Sequence, residues 1–405
     1  MSVKKFGALL VILIATLVLV FSVGMADNGF TLVEELGEFL YFDEDLSEPS
    51  GQSCASCHDP DFGFVDPDKG LPVSEGAILG LFGGRNSPAA AYAMYAPIRY
   101  FDEGEGLWIG GQFWDSRATG VVLGDPLADQ ALGPFLNAVE MANTSKAQVI
   151  ADVALSEYAD LFEQVWGSDA FNDVEAAYDQ VALSIAAFER TAFFGQFSSK
   201  YDYYLQECLD MDGDMDDCAM GIGDAAVASG AIFSKKEWEG LQLFMGDAMC
   251  VACHVVDWTV ASDNVVVPAW SPDGTVPPLF TDFTYDNLGV PKSEHKLLKD
   301  APQDLGLGPI VNDPLENGKF KVMTLRNIAL TAPYAHNGFF KKLEDITHFY
   351  NTRDVLGVLK KGADWPDPEY SETVNNSELG DLGLSEDDED ALVKFMKTLS
   401  DGWTP

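Results

Sequence analysis

The chain has 405 residues, 47% hydrophobic and 12% aromatic, enough to bury a sizeable core in two domains of ordinary size. Its 65 Asp and Glu against 24 Lys and Arg give a formal net charge of −41, which repels phosphate backbones and argues against nucleic-acid binding. The acids are spread along the whole chain, so the charge reads first as solubility in a salty setting, with a cationic partner protein as the sharper alternative.

Residues 1–26 read as a secretory signal peptide. Lys4 and Lys5 form a basic start, Leu9 to Val20 is an apolar run, and Gly24-Met25-Ala26 offers small residues for cleavage before Asp27. An uncleaved membrane anchor is the alternative. Both place the body of the chain outside the cytoplasm, and no other stretch is long and apolar enough to span a bilayer. Leu32 to Leu46 has a short helical pattern that leads into Cys54-Ala55-Ser56-Cys57-His58, which recurs as Cys250-Val251-Ala252-Cys253-His254. C-x-x-C-H is the attachment signal for a c-type haem. Two thiols at that spacing can each form a thioether to one vinyl group, and the adjoining His is then held beneath the ring as proximal iron ligand. A single copy could be a zinc half-site or a redox pair. Two copies behind an export signal point to two covalent haems, with His58 and His254 as proximal ligands.

Residues 59–112 are rich in Gly, Pro and Asp and read as a long loop region, which is usually functional. From Ser145 to Phe197 the pattern is strongly helical. Ile150, Val153, Ala154, Tyr158, Leu161 and Val165 share one broad face, and Ala177, Val181, Leu183, Ile185, Ala186 and Phe188 mark a second helix. Residues 201–235 look like an acidic, Gly- and Ala-rich insert between domains. Within it Cys208 and Cys218 flank a run of alternating aspartates. A disulfide is the default for this pair in an oxidising compartment, and the loop reads equally as a solvated turn or a metal site, because its Gly comes too early for an EF-hand. Trp238 to Met245 is a helix ahead of the second haem signal, residues 257–318 are again loop-rich, Lys342 to Tyr350 is helical, and Glu386 to Leu399 is a last helix capped by Ser385. The fold expected is all-α: two cytochrome-c-like haem lobes with long loops, spanning residues 27–200 and 236–405.

Further segments accompany the two haem signals. Arg85-Asn86-Ser87-Pro88, Phe113-Trp114-Asp115-Ser116-Arg117, Gln130-Ala131-Leu132-Gly133-Pro134 and Val139-Glu140-Met141 stand in the first lobe, and Thr324-Leu325-Arg326-Asn327 through Ala332-Pro333-Tyr334-Ala335-His336-Asn337-Gly338 in the second. In order and spacing they resemble the bacterial di-haem cytochrome c peroxidase / MauG family over most of residues 31–400. The resemblance implies that Trp114 relays electrons between the haems. It also implies that Asn86, Thr331 and Pro333 bind Ca²⁺ between the lobes, and that Gln130, Pro134 and Glu140 line the pocket where peroxide reacts. Taken alone, Trp114 would be a core residue, Glu140 a surface acid, and Asn86 and Pro333 ordinary loop residues.

A peroxidase needs one iron with an open face beside an acid/base group, while its other iron can be closed. The chain has five histidines: His58, His254, His295, His336 and His348. The first lobe holds only His58, and residues 59–84 carry no His that could cap the first haem, so that haem is expected to be open at rest. A methionine cap by Met94 or Met141 has no precedent in the family. Where family peroxidases place a Met ligand on the second haem, this chain has Tyr350, as MauG-like members do. His348 competes for the position, but two residues are about 200° apart on a helix, so only one can face the iron. Tyr350 is the expected ligand and His348 a helix-face residue. His336 is expected near the second haem without ligating it, and His295, among lysines, in solvent. The function implied is an exported oxidoreductase that reduces hydrogen peroxide at the first haem with electrons passed through the second. Its donor or substrate would be a small c-type cytochrome or another redox protein, in the periplasm. The alternatives are a conventional cytochrome c peroxidase and a non-catalytic electron carrier.

Overall fold

The structure, a computed structural model, describes residues 29–261 and 265–405. The signal-peptide reading of residues 1–26 lies outside the described residues. The helices are α1 (Leu32–Phe42), α2 (Cys54–Cys57), α3 (Pro126–Ala131), α4 (Lys146–Leu155), α5 (Ala159–Trp166), α6 (Val174–Glu189), α7 (Lys200–Asp210), α8 (Met215–Met220), α9 (Gly223–Ser229), α10 (Lys235–Met245), α11 (Gly308–Val311), α12 (Leu343–Thr352) and α13 (Glu386–Lys397). Short antiparallel pairs punctuate the loops: β1 (Tyr100–Asp102) with β2 (Leu107–Ile109), β3 (Thr259–Val260) with β4 (Thr275–Val276), and β5 (Tyr285–Asp286) with β6 (Phe320–Lys321).

Local signals start the main helices. Thr31 with Glu34, Ser199 with Asp202, Ser234 with Glu237 and Ser385 with Asp388 each close a capping box, the hydroxyl accepting from the third backbone N–H while the acid reaches back. The apolar faces then pair in the same way twice. Helix α1 crosses α6, and α10 crosses α13. At each crossing a glycine removes the side chain that would keep the backbones apart: a Cβ on Gly37 would collide with the carbonyl of Ser184, and one on Gly240 with the carbonyl of Ala391. Leu36, Leu40, Tyr41, Val181, Ile185 and Phe188 build the first core, while Tyr201, Leu205, Leu241, Phe244, Phe280 and Phe395 build the second. The fold is therefore mostly α, with two cores each enclosing one Cys-x-x-Cys-His segment.

Three expectations need correction. Residues 201–235, expected as an acidic insert between domains, are part of the second core: α7, α8 and α9 occupy them, and Tyr201, Tyr204, Leu205, Cys208 and Ala226 are buried there. The Cys208–Cys218 disulfide is present and ties α7 to α8, and Asp214 caps α8 by accepting from the N–H groups of Asp216 and Asp217. The helical stretch after Ser145 breaks between α4 and α5, where Ser156 donates to the Val153 carbonyl at 2.7 Å, and Ala154 is exposed rather than on the buried face. His295 is half-buried, its Nδ1 accepting from the Leu297 N–H.

The two cores are joined by polar contacts that leave few degrees of freedom between them. Arg85 pairs with Asp115 of its own lobe at 2.6 Å and with Asp304 across the junction at 2.7 Å. The Asn86 N–H donates to the His336 carbonyl, the Gly110 N–H to Phe283, and the Lys321 N–H to Trp114. Arg326, fully buried, forks onto Asp202 within the second core at 2.7–2.8 Å and lies 4.9 Å from the Phe197 ring centroid of the first. Asp401 at the chain's end accepts from Tyr92, Ser198 and Asn327.

Candidate active site

Each Cys-x-x-Cys-His segment opens onto a cavity. The first, about 550 Å³, is lined by Cys54, Cys57 and His58 from the segment and by Gln130, Pro134 and Glu140 from the loops around α3. The second comprises adjoining spaces of about 180 and 80 Å³ that meet at Cys250, His254 and Tyr350. In both, the histidine is held by one ring nitrogen only. His58 Nδ1 lies 3.3 Å from the Phe64 carbonyl, and His254 Nδ1 lies 2.8 Å from the Phe280 carbonyl. A carbonyl only accepts, so these contacts fix the proton on Nδ1 and leave the Nε2 lone pair for a metal. Burial pushes both imidazoles down, His254 to about 4, so each stays neutral as a ligand must. The four cysteines are unpaired, and burial pushes them up, Cys57 to about 11 and Cys250 and Cys253 to about 12. That is the reverse of an activated redox pair. Both donor sets therefore fit a covalently attached haem.

In the first cavity Glu140 is the carboxyl of interest. Burial raises its pKa, opposed by the nearby Arg117 guanidinium and by a 2.7 Å hydrogen bond from Asn137 Nδ2. Arg117 is itself fixed, bonded to Asp115 at 2.9 Å and lying 3.6 Å over the Phe113 ring. Glu189, at the end of α6, also lines this cavity, and burial pushes it up to about 8. Met141 reaches the cavity wall; Met94 does not line it and is buried in the first core.

A thin wall separates the two cavities. Asn86, Ser87, Pro88, Ala89 and Trp114 line both. Trp114 is fixed by donating from Nε1 to the Asn86 carbonyl at 2.8 Å, and its own carbonyl accepts from Lys321 N–H at 2.9 Å. Its loop holds residues in left-handed backbone, Phe113 at φ 65° and Ser116 at φ 64°. Such positions persist for non-glycine residues only when the surroundings over-determine them. Here Ser116 Oγ donates to the Gly110 carbonyl at 3.1 Å, and Tyr285 of the second lobe donates to the same oxygen.

In the second cavity Tyr350, on α12, lies beside Cys250 and His254. Burial, then Cys253, Cys250 and Asp286, push its phenol well above the usual tyrosine range. His348, on the same helix, turns to α13 and bonds Glu389 at 2.9 Å. His336 is buried, stacked on Phe320 at 3.6 Å, with Nε2 3.7 Å from Glu369. Asn86, Thr331 and Pro333 line this cavity together. The Asn86 amide donates from Nδ2 to the Pro72 carbonyl, which leaves Oδ1 as the atom that can meet a cation. Cys253, Asp286 and Glu378 converge within 4.8 Å, and both carboxylates accept from Asn375 Nδ2.

Sequence reasoning missed Arg117, Asn137, Glu189 and Lys321. Arg117 stood within a quoted motif and Asn137 three residues before Glu140, but nothing in one sequence indicated that Asn137 would bond Glu140 or that the Arg117 charge would act on it.

Comparison with known proteins gives a consistent picture. The family described as "Di-haem cytochrome c peroxidase" matches residues 32–209. Methylamine utilization protein MauG of Paracoccus denitrificans is 34% identical over 388 residues, 90% of this chain and 88% of that protein. Cytochrome c551 peroxidase of Nitrosomonas europaea is 29% identical, covering 84% of this chain and 77% of its own. The crystal structure of the diheme peroxidase BthA from Burkholderia thailandensis matches with a TM-score of 0.72 and 27% identity over 94% of this chain and 87% of that one. Two haem-attachment segments, each in its own core beside its own cavity, and this extent of likeness lead to one conclusion: the chain belongs to the di-haem cytochrome c peroxidase family and is a peroxidase-type oxidoreductase with two c-type haems.

Proposed function

We propose that the chain is an exported, MauG-like di-haem peroxidase that reduces hydrogen peroxide beside Glu140 and draws electrons through the second lobe from a protein or small reductant. The observation that carries this is Trp114, which lines the cavity of each haem segment, with a neutral, ligand-ready histidine in each cavity and, in the first, the half-buried Glu140 carboxyl on the same wall as Gln130 and Pro134. When bound, the haems supply the electrons that cleave the O–O bond.

The chain's own groups do the rest. Cleavage requires a proton to pass from the near to the far peroxide oxygen, and a carboxyl in a closed pocket performs this transfer. The Asn137 amide holds Glu140 in place, and burial raises its pKa against the field of the Arg117 guanidinium. The Gln130 amide, on the same wall, offers hydrogen bonds to a bound oxygen. Trp114 fills the wall through which electrons pass. Tyr350, rather than His348, would hold the second haem's iron from this side, and a phenolate there would favour the oxidised metal. Asn86 Oδ1 with the backbone oxygens of Thr331 and Pro333 would hold Ca²⁺ between the lobes, a hard cation suited to oxygen donors from both. The Cys208–Cys218 disulfide supports export to an oxidising compartment, the periplasm. No helix among the described residues is long and apolar enough to cross a membrane.

Met141 favours a second reading. Its thioether at the first cavity could cap that haem and leave a non-catalytic electron carrier. Absorption and EPR spectra of the isolated oxidised protein decide: one high-spin haem with one low-spin His/Tyr haem supports the proposal. Two low-spin haems unreactive toward peroxide favour the carrier. A low-spin His/Met haem with activation on reduction identifies a conventional cytochrome c peroxidase.

A further inference from the structure

Lys321, in β6, has no place in the mechanism above, and its surroundings are unusual. It is 6% exposed, and its ammonium reaches the carbonyl of Gly111 and lies 5.5 Å from the Phe283 ring centroid. No Asp or Glu pairs with it among the described residues, in a chain with 65 of them. A buried ammonium is strongly disfavoured unless an anion meets it.

The same wall of the second cavity carries other charged groups, and each is committed elsewhere. Arg326 is bound to Asp202, and Asp304 to Arg85. Glu369 faces His336, while Asp286 and Glu378 share the Asn375 amide. Lys321 is thus the one cation on that cavity wall, among the described residues, that lacks a carboxylate. Burial alone pushes its amine down to about 7, as expected for a cation whose counter-charge is missing from the protein.

A haem brings two carboxylates. We propose that Lys321 forms an ion pair with a carboxylate of the haem held at Cys250 and Cys253, and so ties that haem to the Trp114 loop. The tie has two ends: Lys321 Nζ bonds Gly111 and its backbone N–H bonds Trp114, so one residue would link the second haem's edge to the wall between the cavities.

This rests on two attached haems, and the test keeps the two ideas apart. Haem content of wild type, Lys321→Met and Lys321→Arg is measured first; fewer than two haems in wild type would sink the family reading itself. With two haems bound, a redox titration followed by the EPR signal of the low-spin haem reads the proposal. Lys321→Met should move the second haem toward its oxidised state by about tenfold in the equilibrium constant, about 59 mV for one electron. The haem carboxylate modes in the resonance Raman spectrum should shift with it, and Lys321→Arg should keep both close to wild type. A Lys321→Met protein with both haems, unchanged Raman modes and a potential within a factor of two of wild type overturns the ion pair. So does a shift confined to the first haem.

Discussion

Glu189 offers a test of the first cavity that does not depend on turnover. Its carboxyl is 6% exposed and lines the cavity, while its neighbour Arg190 is turned to Asp125 at 2.7 Å. Burial raises its pKa from 4.5 to about 8 in the folded chain. Between those values the folded state binds a proton that the unfolded state has released, so stability falls as pH rises through that window. At about 1.4 kcal/mol per pH unit, the interval caps the cost at about 5 kcal/mol, and half of that, about 2.5 kcal/mol, is a fair expectation after local relaxation. Glu189→Gln keeps the shape and removes the titration. For a lobe of this size about 2–4 °C accompanies each kcal/mol, so at pH 8.5 the haem-loaded variant should melt about 5–10 °C above wild type. At pH 5 the two should coincide, because Glu189 is then protonated in the fold. The assay is thermal denaturation of both proteins from pH 5 to 9. Parallel curves across that range would show that the carboxylate is ionised and compensated in the fold, and the reasoning would fail.

Three further outcomes follow from named contacts. Glu140→Gln should keep both haems and slow the reaction with hydrogen peroxide about 10²–10⁴-fold in stopped-flow absorbance, and a rate within about twofold of wild type would remove Glu140 from the mechanism. Tyr350→Met should raise the potential of the second haem, because the reduced iron no longer faces a bound anion, whereas His348→Ala, which only loses the Glu389 bond, should not. The opposite result in a redox titration reverses the ligand assignment. Asp202→Ala leaves the Arg326 guanidinium buried without its partner and should cost about 3–5 kcal/mol in urea unfolding; a loss under about 1 kcal/mol would mean the pair is dispensable.

What could be read ahead of the structure was what chemistry keeps local. Covalent haem attachment needs its two thiols and its histidine within five consecutive residues, so Cys54 to His58 and Cys250 to His254 stand out in one line of sequence. Helix starts are local too, and the Ser385 cap was legible for that reason. The segment 201–235 was read as an insert between domains because acids, Gly and Ala stood out in it. Yet Tyr201, Tyr204, Leu205 and Cys208 already formed an i, i+3, i+4, i+7 stripe, and all four are buried. Gly37 and Gly240 went unread as well: a glycine in a helix signals a close crossing only once the partner helix is known, and the partners lie about 150 residues downstream.

The second cavity shows where local geometry stops being enough. Helical periodicity alone separates Tyr350 from His348, and the two side chains do diverge, one toward Cys250 and His254, the other onto Glu389 of α13. Which of them faces the haem segment depends on the rotation of α12 in the core, which is set by Phe349 and Leu343 packing beneath it. That rotation is a property of the assembled lobe. The same holds for Lys321 and Glu189, which read as ordinary surface charges until the fold buries them. Each becomes informative because it is buried and, among the described residues, no salt bridge involves it. For Lys321, a buried cation without a carboxylate among the described residues, the missing counter-charge is to be sought on the cofactor its cavity would enclose.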